Sequence, residues 1–325
     1  MSITLDHSGF TRLSTSSGVS MVVSTFGARL VELWVPDRNG RLANVVLGLP
    51  TTRDYAHRAG LYLGCTVGRV AGRIPQSHFV GGGLSFDVEP NERGNHLHGG
   101  PAQSFDRVEW ELVTFDTDDV VSAEFRYCSP AGEEGYPGEL TVTSRYDLSS
   151  DGELTSTLTA HTTAPTPVNL TTHAYWNLSG IPGHTVEDHE LFVDHAGQLE
   201  TDSAQLPTGH FLSSPQQLSL SEHSWDDTFI LTNANHLTTA AARLHHSGTG
   251  RTLTLYTSEP AMQVYSGAYL PQEELDAEHI LTPFGGLCLE PQRIIDNPLL
   301  PQFPSIVLLP DETYRHITRH KFSAT

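Results

Sequence analysis

Cations are what this chain has least of: 18 Lys and Arg stand against 38 Asp and Glu, a formal charge of −20 over 325 residues. Nucleic acids and anionic membrane surfaces need clustered cations, so neither is expected as a partner. Cysteine is almost as scarce. Cys65, Cys128 and Cys288 form an odd set without Cys-x-x-Cys spacing. That excludes a disulfide framework or a zinc knuckle and leaves them as small buried apolar residues. No run approaches the roughly 18 apolar residues that span a bilayer. The opening MSITLDHSGFTRLSTSS lacks a basic start followed by an apolar stretch. A soluble cytoplasmic protein is the expectation, in which the sequons at Asn169 and Asn177 go unused. No glycine fingerprint for a nucleotide is found either, which argues against hydride transfer. Helical periodicity is nearly absent, with Glu273–His279 open to either a short helix or a loop turn.

What is present has a period of two. Leu140, Val142, Tyr146 and Leu148 alternate with polar residues, Ser149–Gly152 makes a turn, and Leu154, Leu158 and Ala160 resume the pattern. This predicts a hairpin with one face rich in Thr and Ser. Similar strands are expected at Val19–Ser24, Arg29–Val35, Leu84–Val88, Val120–Tyr127, Thr252–Tyr256 and Tyr314–Phe322. Turn chemistry separates them at Asp37–Gly40 and Gly81–Gly83, within a total of 20 Pro and 28 Gly. Without repeats or a clear linker, residues 1–325 read as one large antiparallel β-sandwich domain.

Four segments are dense in polar and aromatic side chains: GRVAGRI (68–74), NHLHGG (95–100), NLTTHAYWNLSG (169–180) and LEPQ (289–292). His96 and His98 are two apart, so on a strand both imidazoles would share a face. That spacing allows a metal pair, although no carboxylate follows before Asp106; hydrogen bonding within the β-structure is the other reading. His173 stands beside Tyr175 and Trp176. Aromatic rings stack on the C–H faces of a pyranose while Asn, Asp, Arg and His bind its hydroxyls, so the segment suits a carbohydrate. Glu290 follows an apolar approach that should bury it. A buried carboxylate must meet an Arg or His, or its pKa rises.

Taken together, GRVAGRI, NHLHGG with SFDRVEW, VNLTTHAYWNLSG, LPTGHF, EPAMQVYSGAYL, LEPQ and FPSIVLLPDETYR resemble the aldose 1-epimerase (galactose mutarotase) family over roughly residues 60–322. The resemblance implies a supersandwich β-fold with an open sugar cleft and an isomerase that interconverts aldose anomers. It places the catalytic acid on His173 and the base on Glu290. Substrate-binding positions fall on Arg73, His98, Asp226 and Gln263, with Asn91 and Trp176 also facing the sugar. No cofactor and no metal are implied; the partner is a small-molecule aldose, and the protein a monomer or homodimer. Three departures stand out. The family's Gly-(Tyr/Phe)-Asp-His-x-Phe is Ser224-Trp-Asp-Asp-Thr-Phe229 here, a Pro-Asp pair is Ile295-Asp296, and Pro-Gly-Glu is Pro310-Asp-Glu. The first lies beside a sugar-contacting position and leaves the preferred sugar open. Rival readings are a hexose-6-phosphate epimerase, for which the cleft segments offer only Arg69 and Arg73, a non-catalytic sugar-binding protein, and a glycosidase using Asp226 as its second carboxylate.

Overall fold

The computed structural model describes residues 2–5, 9–117, 119–233 and 237–325. Two large sheets and a smaller N-terminal one carry the architecture, and every strand pairing among the described residues is antiparallel. The larger sheet has nine strands, in the spatial order Glu111–Asp116, Val120–Ser129, Leu140–Ser149, Glu153–Thr162, Tyr314–Ala324, Arg251–Thr257, Ala242–His246, His189–Val193 and Gln217–Leu218. The second has six: Tyr175–Trp176, Leu287–Gln292, Ala261–Tyr265, Asp226–Leu231, His195–Thr201 and Pro207–Leu212. A five-stranded meander over residues 2–44 closes the N-terminal side.

Alternation dictates the packing. Leu140, Val142, Tyr146 and Leu148 sink into one apolar cluster with Leu154, Leu158 and Ala160, as the hairpin pattern requires. The same cluster takes Leu13 and Leu33 from the meander, and Met262, Val264, Leu287 and Leu289 from the six-stranded sheet. Burying such side chains stabilises by about 1.5–3 kcal/mol each. The expected strands all appear, shifted at their ends by one or two residues. The Asp37 turn forms because its carboxylate accepts the N–H groups of Asn39 and Arg41, while Gly40 supplies a φ of 76°.

Of the two readings open for Glu273–His279, the turn holds: Glu273–Glu274 pairs with Ile280–Leu281 around a turn held by the Asp276 carboxylate. One local expectation is revised. Cys128 is exposed, whereas Cys65 and Cys288 are buried. One short helix, Thr52–His57, went unread in the sequence. Its signal was Thr51, whose hydroxyl caps the N–H of Asp54. No helix among the described residues is long and apolar enough to cross a membrane.

Candidate active site

The face of the six-stranded sheet opposite the apolar cluster floors a cleft of about 360 Å³. Period-two geometry aligns its polar residues into rungs. Thr228, Gln263 and Glu290 are direct cross-strand partners, and Asp226, Tyr265, Cys288 and Tyr175 form the next rung. Within the floor, Thr228 Oγ1 donates to Gln263 Oε1 at 2.5 Å, and Gln263 Nε2 donates to Asp226 Oδ1 at 2.8 Å. Gln263 is thereby locked, and it in turn orients the Asp226 carboxylate.

His173 enters from the segment before Tyr175. Its backbone N–H bonds to Cys65 O and its carbonyl accepts from Gly64, while Thr171 Oγ1 ties the same segment to Pro291 O beside Glu290. The result is a His173 Nε2–Glu290 Oε1 separation of 3.5 Å, both side chains being almost wholly buried. On its other side, Nδ1 of His173 lies 3.4 Å from Cys288 Sγ. The Tyr62 and Tyr175 rings flank the imidazole at 5.8 and 5.1 Å.

His98 stands beside His173, their rings meeting edge to face at 5.6 Å, and adopts a φ of 52°. Its Nδ1 accepts the N–H of Gly72, so the neutral ring presents Nε2–H as a donor. The glycine after it is obligatory, since a Cβ on Gly99 would run into the Gly68 carbonyl. Arg73 lines the cleft with Glu92, a forked contact at 3.2 and 3.3 Å.

Burial decides the electrostatics. It pushes the Glu290 carboxyl well above the usual range, the nearby Asp226 adds to this, and Arg73 opposes it. It lowers His173 to about 4, Arg29 adding a small push in the same direction. It holds His98 far below 6.5, helped by His173 and Arg73. The Asp226 carboxyl is raised by burial against the pull of Arg73 and Gln263. His98, His173 and Glu290 also bring one ligand atom each within 4.8 Å of one another, a spacing that a divalent metal could bridge.

Of the residues singled out in the sequence, Arg73, His98, His173, Asp226, Gln263 and Glu290 converge on this cleft. Trp176 does not. It is 1% exposed, in the apolar cluster beside His320 and Phe322. Adjacent strand residues face opposite ways, so Tyr175 and Trp176 cannot both face the cleft; Tyr175 lines it. Asn91 is also turned aside, its amide bonding both the N–H and the carbonyl of Leu97. His96 and His98 do not share a face: His96 sits between Glu89 O and the Tyr136 hydroxyl, at 2.6 and 2.7 Å, with both ring nitrogens spent. Arg69 is likewise structural, capping carbonyls of Ser129, Pro130, Pro137 and Gly138.

The altered Asp227 points away from the cleft and binds Gln198, and Trp225 packs into the core. Among cleft residues the sequence reading passed over, Tyr62 and Glu92 carried no local signal. Thr228 and Tyr265 could have been found by counting two along the strand from Asp226 and Gln263.

The aldose 1-epimerase family model matches residues 10–321. The galactose mutarotase of Rattus norvegicus is 36% identical over 95% of this chain and 92% of its own length. The human galactose mutarotase is 35% identical over 93% and 90%. Among solved structures, an aldose epimerase homologue from C. elegans superposes with a TM-score of 0.86 at 28% identity, covering 97% of this chain and 98% of that one. The galactose 1-epimerase of Lactobacillus acidophilus gives 0.81 at 25% identity, covering 97% and 94%. This chain belongs to the aldose 1-epimerase family.

Proposed function

We propose that Glu290 and His173 are the base and the acid with which this chain interconverts the α and β anomers of a free aldose. As a member of its family the chain is an isomerase, an aldose 1-epimerase. The observation that carries the residue roles is the buried His173–Glu290 pair, 3.5 Å apart, at the wall of a sugar-sized cleft.

Ring opening needs one proton removed from the anomeric hydroxyl and one delivered to the ring oxygen. Closure on the other face of the aldehyde reverses both transfers. Glu290 as carboxylate with His173 as imidazolium becomes Glu290 as acid with neutral His173, so one proton is shared across the pair throughout. The opposed pKa shifts support this count. Burial raises Glu290 and lowers His173 to about 4, so it resists charge on both groups, and the ionised form in which Glu290 accepts a proton and His173 gives one is drawn on as the sugar binds between them. His98 serves as an uncharged donor that orients a sugar oxygen, and Arg73, already neutralised by Glu92, is a positioning group. The acting form in this reading is a monomer or a homodimer.

Polarimetry on galactose, the sugar that its relatives' names carry, tests the assignment. Glu290→Gln and His173→Asn should each slow anomerisation by about 10²–10⁴-fold while sugar binding persists. Near-normal turnover in either variant would sink the proposed roles. A rate panel over glucose, xylose, arabinose and fucose identifies the preferred aldose.

A further inference from the structure

Outside the cleft, a second cluster of titratable groups has its nitrogen and oxygen atoms turned toward one point. Nε2 of His184 lies 2.9 Å from Asp188 Oδ2, and Nε2 of His246 lies 3.3 Å from the same oxygen. All three atoms fall within 4.8 Å of one another. None of these residues lines the cleft.

We propose that His184, Asp188 and His246 form a binding site for a borderline first-row divalent cation of the Zn²⁺ type. Two imidazoles and one carboxylate suit that class of ion, leaving a fourth tetrahedral position for water. Bonds of about 2.0–2.2 Å put tetrahedral ligand atoms some 3.4 Å apart, so the widest pair need close by only about 1.5 Å.

Supporting bonds hold the set in place. His189 Nε2 accepts the N–H of Leu178, so its Nδ1–H donates to Asp188 Oδ1 at 2.9 Å. One carboxylate oxygen is thus fixed and the other turned toward the two imidazoles, as metal sites commonly arrange. His246 Nδ1 is engaged by Thr249, with Oγ1 at 2.9 Å and N at 3.3 Å, so only Nε2 faces the cluster. Gly248 leaves room for that ring, because a Cβ there would come within 2.9 Å of His246 Cε1. Entry is open, with about a third of the His184 side chain and half of Asp188 exposed. Arg251 is the adverse charge, but its guanidinium is directed onto the carbonyls of Leu178, Ser179 and Arg41.

The site would act on the fold rather than on the sugar. His184 O accepts from Asn177, and the His189 bond to Leu178 holds the next residue. A bound ion would therefore clamp the end of the segment that began with His173 to the nine-stranded sheet.

The test uses metal-stripped protein titrated with Co²⁺, then with competing Zn²⁺, in a Glu290→Gln background that removes the carboxylate from the cleft cluster. One site with the visible spectrum of tetrahedral Co²⁺ is expected. His184→Ala should weaken Zn²⁺ binding about 100-fold or more, and Asp188→Asn should do the same. Zn²⁺ should raise the Tm of the unaltered chain but not of His184→Ala, whose anomerisation rate should stay unchanged. Binding that survives both substitutions, binding lost on Glu290→Gln alone, or no binding at all would each overturn the proposal.

Discussion

Glu290 and His173 are two ionisable side chains almost wholly buried beside each other, and that sets their behaviour with pH. Burial raises the first and lowers the second to about 4, so the pair keeps one proton from near pH 4 up to the raised carboxyl value. The acid limb of kcat/KM should accordingly lie near 4, and a midpoint at 6 to 7 would show an ordinary imidazole. Linkage gives a second outcome. A carboxyl raised on folding contributes stability that is present below its unfolded pKa and lost as pH rises through the folded value. Glu290→Gln removes that loss, so its Tm should pull ahead of the parent chain as pH climbs from 4 toward neutrality and beyond. A Tm difference that is flat with pH would contradict the burial argument. His173 runs the other way, costing stability as pH falls from about 6.5 toward 4. The apolar run Gly285–Leu289 made the burial of Glu290 legible in the sequence. The direction of the His173 shift was not, because it depends on Tyr62, His98 and Cys288 closing around the ring from distant parts of the chain.

At the scale of the strand, alternation explains both what the sequence disclosed and where it misled. Leu140–Ala160 announced its hairpin because one face is continuously apolar. The motif NLTTHAYWNLSG spoke less clearly, since it is too short and too uniformly buried to show which residues face the cleft. Its polar density is mostly scaffold. Asn169 holds Ala71 and Arg293, Thr171 holds Pro291, and Asn177 holds His184 and Gly285. Trp176, with its neighbours His320 and Phe322, belongs to the same category. Trp176→Ala should cost about 3–5 kcal/mol in a urea titration. The milder Trp176→Phe should leave KM for the sugar unchanged; a raised KM with undiminished stability would return the indole to the binding face. Asp227 illustrates the rule once more. One residue along from Asp226, it falls on the reverse of the sheet, so its departure from the family pattern does not bear directly on the sugar.

Charge acts at the scale of the whole molecule. A net −20 surrounds a cleft whose own wall carries Glu92 and Asp226, and two of the arginines lining it are matched, Arg73 by Glu92 and Arg293 by Glu259 at 3.6 Å. A neutral aldose approaches without regard to this field. A hexose 6-phosphate must enter against it; Arg93, exposed at the rim, is the one lining arginine without a carboxylate partner among the described residues, and Arg73 or Arg293 would serve a phosphate only by giving up theirs. Composition alone foretold the repulsion, but pairing within the cleft required the fold, because Glu92 and Glu259 are far in sequence from the groups they neutralise. Turnover of galactose should therefore be insensitive to salt, whereas galactose 6-phosphate should react at least about tenfold more slowly at low ionic strength and recover partly as the Debye length shrinks from about 30 Å at 0.01 M to about 8 Å at 0.15 M. Stopped-flow polarimetry of the two sugars across that range measures it. A phosphate that reacts faster, with a rate that falls as salt is added, would mean that the cleft frees an arginine for an anionic substrate.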